Sequence, residues 1–69
     1  MELEKAIAAA EELAKTGTTE QKNDFVAWAC QGIGYMSAQV AHGCGNAETR
    51  EALKAIKAQY NAYLETLKK

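Results

Sequence analysis

From Phe25 to Ala47 the chain carries no charged side chain, although eight basic and nine acidic residues are spread over the rest of its 69 positions. Within this stretch, FVAWACQGIGYMSAQVA (25–41) has only Gln31, Ser37 and Gln39 as clearly polar residues. Read as a helix, it presents apolar or neutral side chains almost all the way round. A helix of that kind has to be covered on more than one side. This requirement limits what the remainder of the chain can build.

Three helices are predicted and no strand. The first spans about Glu2 to Lys15, where Leu3, Ile7, Ala10 and Leu13 or Ala14 recur at three- and four-residue steps. Acidic residues in its first turn suit the positive end of the helix dipole. Gly17 is the expected stop, in the left-handed conformation that glycine adopts without strain. Thr18 then has the chemistry of an N-cap, with Gln21 at the capping-box position. The second helix is expected from about Thr19 to Ala41. His42-Gly43-Cys44-Gly45-Asn46 is the strong loop signal, and Asn46 is a good N-cap for a third helix over about Ala47 to Leu67. There Leu53, Ile56, Tyr60, Tyr63 and Leu67 step by three and four, a heptad seam, and Glu51 is placed to pair with Lys54.

Composition favours helix as well. The chain has no proline, and 14 of its residues are alanine, which has the best helix propensity because its side chain loses no rotamer entropy. The second and third helices, roughly 34 and 31 Å long at about 1.5 Å per residue, match in length and are joined by a short loop. They are expected to form an antiparallel hairpin. The first helix, about 21 Å long, covers part of a further face. The expected fold is all-α: one domain over residues 1–69, a short N-terminal helix plus a long antiparallel hairpin, doubled into a homodimeric bundle. Only 17 side chains are large and apolar, few for a chain of this size to fold around alone. A second copy is the expected supplement. Cys30, Gly34 and Ala38 form a small-residue stripe that lets two helices approach closely. Together with Ile33, Met36 and Val40 they are the candidate self-association residues.

Several function classes are disfavoured. The net charge is −1 and the basic residues are scattered, whereas nucleic-acid binders carry a basic patch that neutralises phosphates. The apolar run falls short of the twenty residues that span a membrane and is interrupted by two glycines and two glutamines. MELEKAIAAAEELAK lacks the basic and apolar regions of a signal peptide, and two cysteines make no disulfide framework. No nucleic-acid partner, no membrane association and a cytoplasmic location are expected. Cys30, His42 and Cys44 are the soft metal ligands. A continuous helix puts Cys30 about 18–21 Å from the loop, too far for a shared metal or a disulfide. Cys30 is therefore expected to be a buried thiol and Cys44 a loop thiol, with no metal and no cofactor. A Cys44–His42 nucleophilic pair lacks a third residue to orient the imidazole and an oxyanion site, so no catalytic residue is assigned. Neither Gly32-Ile33-Gly34 nor Gly43-Cys44-Gly45 has the strand-loop-helix setting of a phosphate-binding loop.

The remaining capacity is for binding protein. Tryptophan and tyrosine combine large area with one polar handle and dominate interface hot spots. Tyr60 and Tyr63 sit on the heptad seam, where filling the core is favoured. Trp28 and Tyr35 sit on the over-exposed helix. The candidate partner-binding residues are Trp28, Tyr35, Gln39, His42 and Tyr63.

The segment Trp28–Asn46, WACQGIGYMSAQVAHGCGN, on a short, slightly acidic, helical chain without a catalytic set, resembles small phage-encoded host-takeover inhibitors. It is similar in size and character to the anti-quorum-sensing proteins of Pseudomonas phages. The resemblance covers the whole chain in length and helical layout and assigns no individual residue. It implies a non-enzymatic inhibitor acting in the host cytoplasm on a LuxR-type quorum-sensing regulator such as LasR, or on the pilus-assembly ATPase PilB. Plasmid copy-control hairpins share the antiparallel dimer plan but bind RNA through exposed basic residues, which the central helix here lacks. A dimeric nucleic-acid-binding regulator and a small-ligand sponge at a dimer interface are the alternative functions.

Overall fold

The computed structural model describes residues 2–43 and 45–68, in three helices: α1 (Glu2–Thr16), α2 (Thr19–Ala41) and α3 (Ala47–Lys68). Among the described residues there is no strand. Cys44 lies outside them, and so does its expected role as a loop thiol.

Local chemistry sets the helix boundaries. The Thr18 side-chain oxygen accepts from the backbone N–H of Gln21 (3.1 Å), and the Gln21 side chain accepts from the backbone N–H of Thr18 (3.0 Å). This reciprocal pair satisfies two of the amides that a helix start leaves unbonded. Thr18→Ala is expected to cost about 1 kcal/mol, seen as a fall of about 4–8 °C in the thermal melt followed by circular dichroism. At α3, Asn46 Oδ1 accepts from the Thr49 N–H (2.8 Å) and the Thr49 hydroxyl (3.0 Å). Gly17 ends α1 differently from the expectation. Its φ is not positive, and the left-handed glycine is Gly43, at φ 74°. Instead the Gly17 N–H donates to the Leu13 carbonyl (2.8 Å), and a Cβ at this position would lie 2.6 Å from that oxygen. Glycine is required there for close approach rather than for handedness.

Packing centres on α3. Tyr63 is 3% exposed and lies with Ala10 (3%) and Ala14 (7%) of α1 in one cluster, surrounded by Leu13, Phe25, Val26, Tyr60 and Leu64. Two alanines four residues apart on α1 let its backbone close over the tyrosine ring. Phe25 brings the start of α2 into the same cluster, with ring centroids 4.9 Å from Tyr63 and 6.5 Å from Tyr60. Further along, α2 and α3 touch at Gly32, where a Cβ would come 2.6 Å from Ile56 Cδ1. Near the turn, Gly45 packs on Val40.

Two expectations are corrected here. The first helix lies chiefly on α3 and reaches α2 only near its beginning, so it does little to cover the charge-free helix. The ion pair among the described residues is Glu65–Lys68 (3.8 Å), at the solvent-exposed end of α3, and not Glu51–Lys54. The shape is elongated, 38 × 25 × 17 Å with a radius of gyration of 12.7 Å, against about 11 Å for a compact chain of this length. Buried side chains are mostly alanine. Ile56 and Tyr63 are the large ones, and no large side chain among the described residues is fully enclosed.

Candidate functional site

The side of α2 that faces α3 contains Ala29, fully buried, and Phe25, Val26, Gly32, Ile33, Met36 and Val40, all half-buried. The opposite side is open. At about 100° per residue, the exposed positions from Cys30 round to Trp28 cover roughly 160° of the helix circumference. No charged side chain interrupts this arc between Ala27 and His42. Trp28 is 51% exposed and Tyr35 66%.

Trp28 leans on Phe25, with ring centroids 5.8 Å apart, which anchors it over the edge of the aromatic cluster. Tyr35 stands one heptad further on. Its hydroxyl accepts from Gln39 Nε2 at 2.9 Å, so the phenol is oriented by a neighbour one turn away. His42 is exposed and ends the helix, its backbone N–H donating to the Ala38 carbonyl (3.0 Å). Trp28, Tyr35 and His42 thus lie along one ridge, with Gln39 half-buried beside it. Between this ridge and the start of α3 runs an open groove of about 380 Å³, lined on the α2 side by Gly32, Tyr35, Met36 and Gln39 and on the α3 side by Asn46, Glu48, Thr49 and Ala52.

Tyr63, the fifth candidate partner-binding residue, is a correction. It is the centre of the core and presents no surface to a partner. From Leu53 to Tyr63 the heptad seam that contains it faces inward because α1 and α2 close on α3 from two sides, whereas its last member, Leu67, is exposed. The six candidate self-association residues divide into two groups. Cys30, Gly34 and Ala38 are exposed together, four residues apart, and a Cβ on Gly34 would meet nothing within 4 Å. Ile33, Met36 and Val40 are half-buried on the side of α2 turned to α3. Cys30 is also corrected from a buried thiol to an exposed one. It lies beside Tyr60, whose phenol it raises above the ordinary 10.0, first through its charge; burial, a hydrogen bond with Cys30 and the charge of Tyr63 act in the same direction.

Sequence reasoning missed the groove, which needs the relative placement of α2 and α3. The N-cap signal at Asn46 marked one wall of it without showing what stood opposite. Among the described residues no group of three or more His, Cys, Asp or Glu side chains is placed to hold a metal ion. No described helix is long and apolar enough to cross a membrane. Comparison with family models, with curated proteins and with solved structures finds no match to this chain.

Proposed function

We propose that the protein works without chemistry of its own, by binding another protein and inhibiting or regulating it. The observation that carries this reading is the outward arc of α2, uncharged over more than four turns and bearing an aromatic pair, Trp28 and Tyr35, half or more exposed. Contiguous apolar patches of this kind mark interaction surfaces. The groove beside Tyr35 adds polar groups at its rim, Gln39, Asn46 and Glu48, which give an apolar patch its orientation and specificity.

The same proposal includes the arrangement of the helices. The α2–α3 neighbours Phe25 with Tyr63 and Gly32 with Ile56, and Val40 with Gly45 at the turn between the helices, run in opposite directions along the chain. This supports an antiparallel hairpin, the element that doubles into a dimeric bundle. A cytoplasmic location goes with this reading.

The resemblance to small phage-encoded inhibitors names the first partners to test: a LuxR-type quorum-sensing regulator such as LasR, and the pilus-assembly ATPase PilB. Each is titrated into the chain by calorimetry, alongside affinity capture from a bacterial lysate. Tyr35→Ala is expected to weaken a specific complex by about 30-fold, the loss for a hot spot of about 2 kcal/mol. The melting temperature is expected to stay within the range of a surface substitution. No protein retained by the wild type over Tyr35→Ala, together with a salt-dependent shift of random-sequence DNA or RNA, would replace this reading with a nucleic-acid-binding one.

One observation favours a second reading, small-ligand binding. A ring exposed beside side-chain amides and a groove of about 380 Å³ falls within the size of ligand sites. A thermal shift with nucleotides, abolished in Tyr35→Ala, would support it.

A further inference from the structure

The outward face of α2 is complementary to itself in size. Eight of its nine exposed positions from Ala27 to His42 fall into pairs placed symmetrically about the midpoint between Gly34 and Tyr35: Gly34 with Tyr35, Gln31 with Ala38, Trp28 with Ala41, and Ala27 with His42, while Cys30 falls opposite the half-buried Gln39. Every pair sets one long or ringed side chain against glycine or alanine. We propose that a second copy of this chain covers the face, its α2 crossing antiparallel about a two-fold axis between Gly34 and Tyr35. Tyr35 then rests over the partner's Gly34, Gln31 over the partner's Ala38, and Trp28 over the partner's Ala41. Each contact occurs twice, as a two-fold interface requires.

Three further features select an identical copy as the occupant. The face carries no charge, so bringing two of them together neither opposes like charges nor strips water from an ion. Gly34 has open space above it, and its lack of a side chain leaves room there for the partner's Tyr35 ring. The area needed is a modest share of the chain's surface, and the two aromatic side chains supply about a third of it. Trp28 at 51% and Tyr35 at 66% exposure supply on the order of 200–300 Å² per partner, and the smaller residues of the arc add to that. A stable interface needs about 600–1,000 Å² per partner, at most about a fifth of the 4984 Å² surface of this chain.

This inference rests on the reading of α2 as a protein-binding face: a second copy holds the face in the free chain, and a different protein binds there by displacing it. The test uses the full chain alone, with Cys30→Ser and Cys44→Ser as background. Gln31→Cys and Ala38→Cys are made separately, then mixed and oxidised. An antiparallel crossing about the proposed axis gives disulfides between the two different chains and few within either variant alone. Disulfides within each variant alone, and none favoured in the mixture, would mean a parallel pairing and overturn the proposal. Light scattering on the wild type from about 1 to 100 µM is expected to show a rise from one to two chains, the micromolar range of a modest interface. Gly34→Glu, which meets nothing in the single chain, is expected to remain folded and monomeric throughout. A wild-type mass of one chain at the highest concentration would also overturn the proposal. If that monomer still bound a different protein through Tyr35, the general reading of the face would stand and only its occupant would change.

Discussion

Tyr63→Ala is expected to leave the chain largely unfolded at 25 °C, with its helical circular dichroism lost or its melt shifted below room temperature. The ring is 3% exposed and contacts all three helices through Ala10 and Ala14, Phe25, Tyr60 and Leu64. Truncating a buried aromatic side chain costs about 3–5 kcal/mol, because the lost transfer free energy is joined by the cavity left behind. A domain of this length has a total stability of roughly 3–10 kcal/mol, so one substitution removes a large share of it. The cavity cannot collapse readily, since the buried neighbours on the α1 side, Ala10 and Ala14, have nothing to extend into it and only Leu13 at the cluster's edge is larger. Tyr63→Phe keeps the ring and is expected to stay within about 1 kcal/mol of the wild type. A folded, cooperative Tyr63→Ala at the wild-type melting temperature would show that the three helices are not held at this point.

The role of Tyr63 also marks the limit of what the sequence reveals. The boundaries of α2, the N-caps at Thr18 and Asn46 and the inward heptad seam of α3 were all legible, because capping chemistry and apolar spacing are local. So was the surplus of apolar surface on α2. The seam position of Tyr63 pointed to the core, and its chemistry pointed equally to an interface. Only the placement of α1 decides between them, and α1 carries apolar residues on a narrow stripe that fits α2 or α3. The same ambiguity hid the exposure of Cys30. On a helix that is neutral all round, hydropathy cannot say which side is turned away, and a cysteine reads as core by default. The direction is set by Gly32 and Ala29, small residues at which α2 closes on α3. Their effect is visible only once Ile56 is known to lie opposite.

The two glycines inside α2 turn this into a measurement. Gly34→Leu is expected to stabilise the single chain by about 0.5–1 kcal/mol, and Gly32→Leu to destabilise it by about 2–3 kcal/mol. Both replace glycine in a helix interior, and both gain the same backbone entropy and helix propensity. They differ in what the new side chain meets. At Gly34 a Cβ has nothing within 4 Å, whereas at Gly32 it comes 2.6 Å from Ile56 Cδ1. Ile56 is itself 4% exposed, so its terminal methyl has to be displaced within a packed site, and a branched side chain at position 32, larger than a single Cβ, pushes α2 and α3 apart. Denaturant melts at about 1 µM or below, where association at micromolar strength contributes little, isolate this difference. Raising the concentration adds a second effect. If two copies meet over Gly34, the leucine there fills the space that the partner's Tyr35 requires. The wild type then gains stability with concentration and Gly34→Leu does not, so its advantage shrinks and reverses. Equal responses of the two glycine variants at low concentration would contradict the placement of α2 on α3. An advantage for Gly34→Leu that persists at high concentration would contradict the pairing of its outward face.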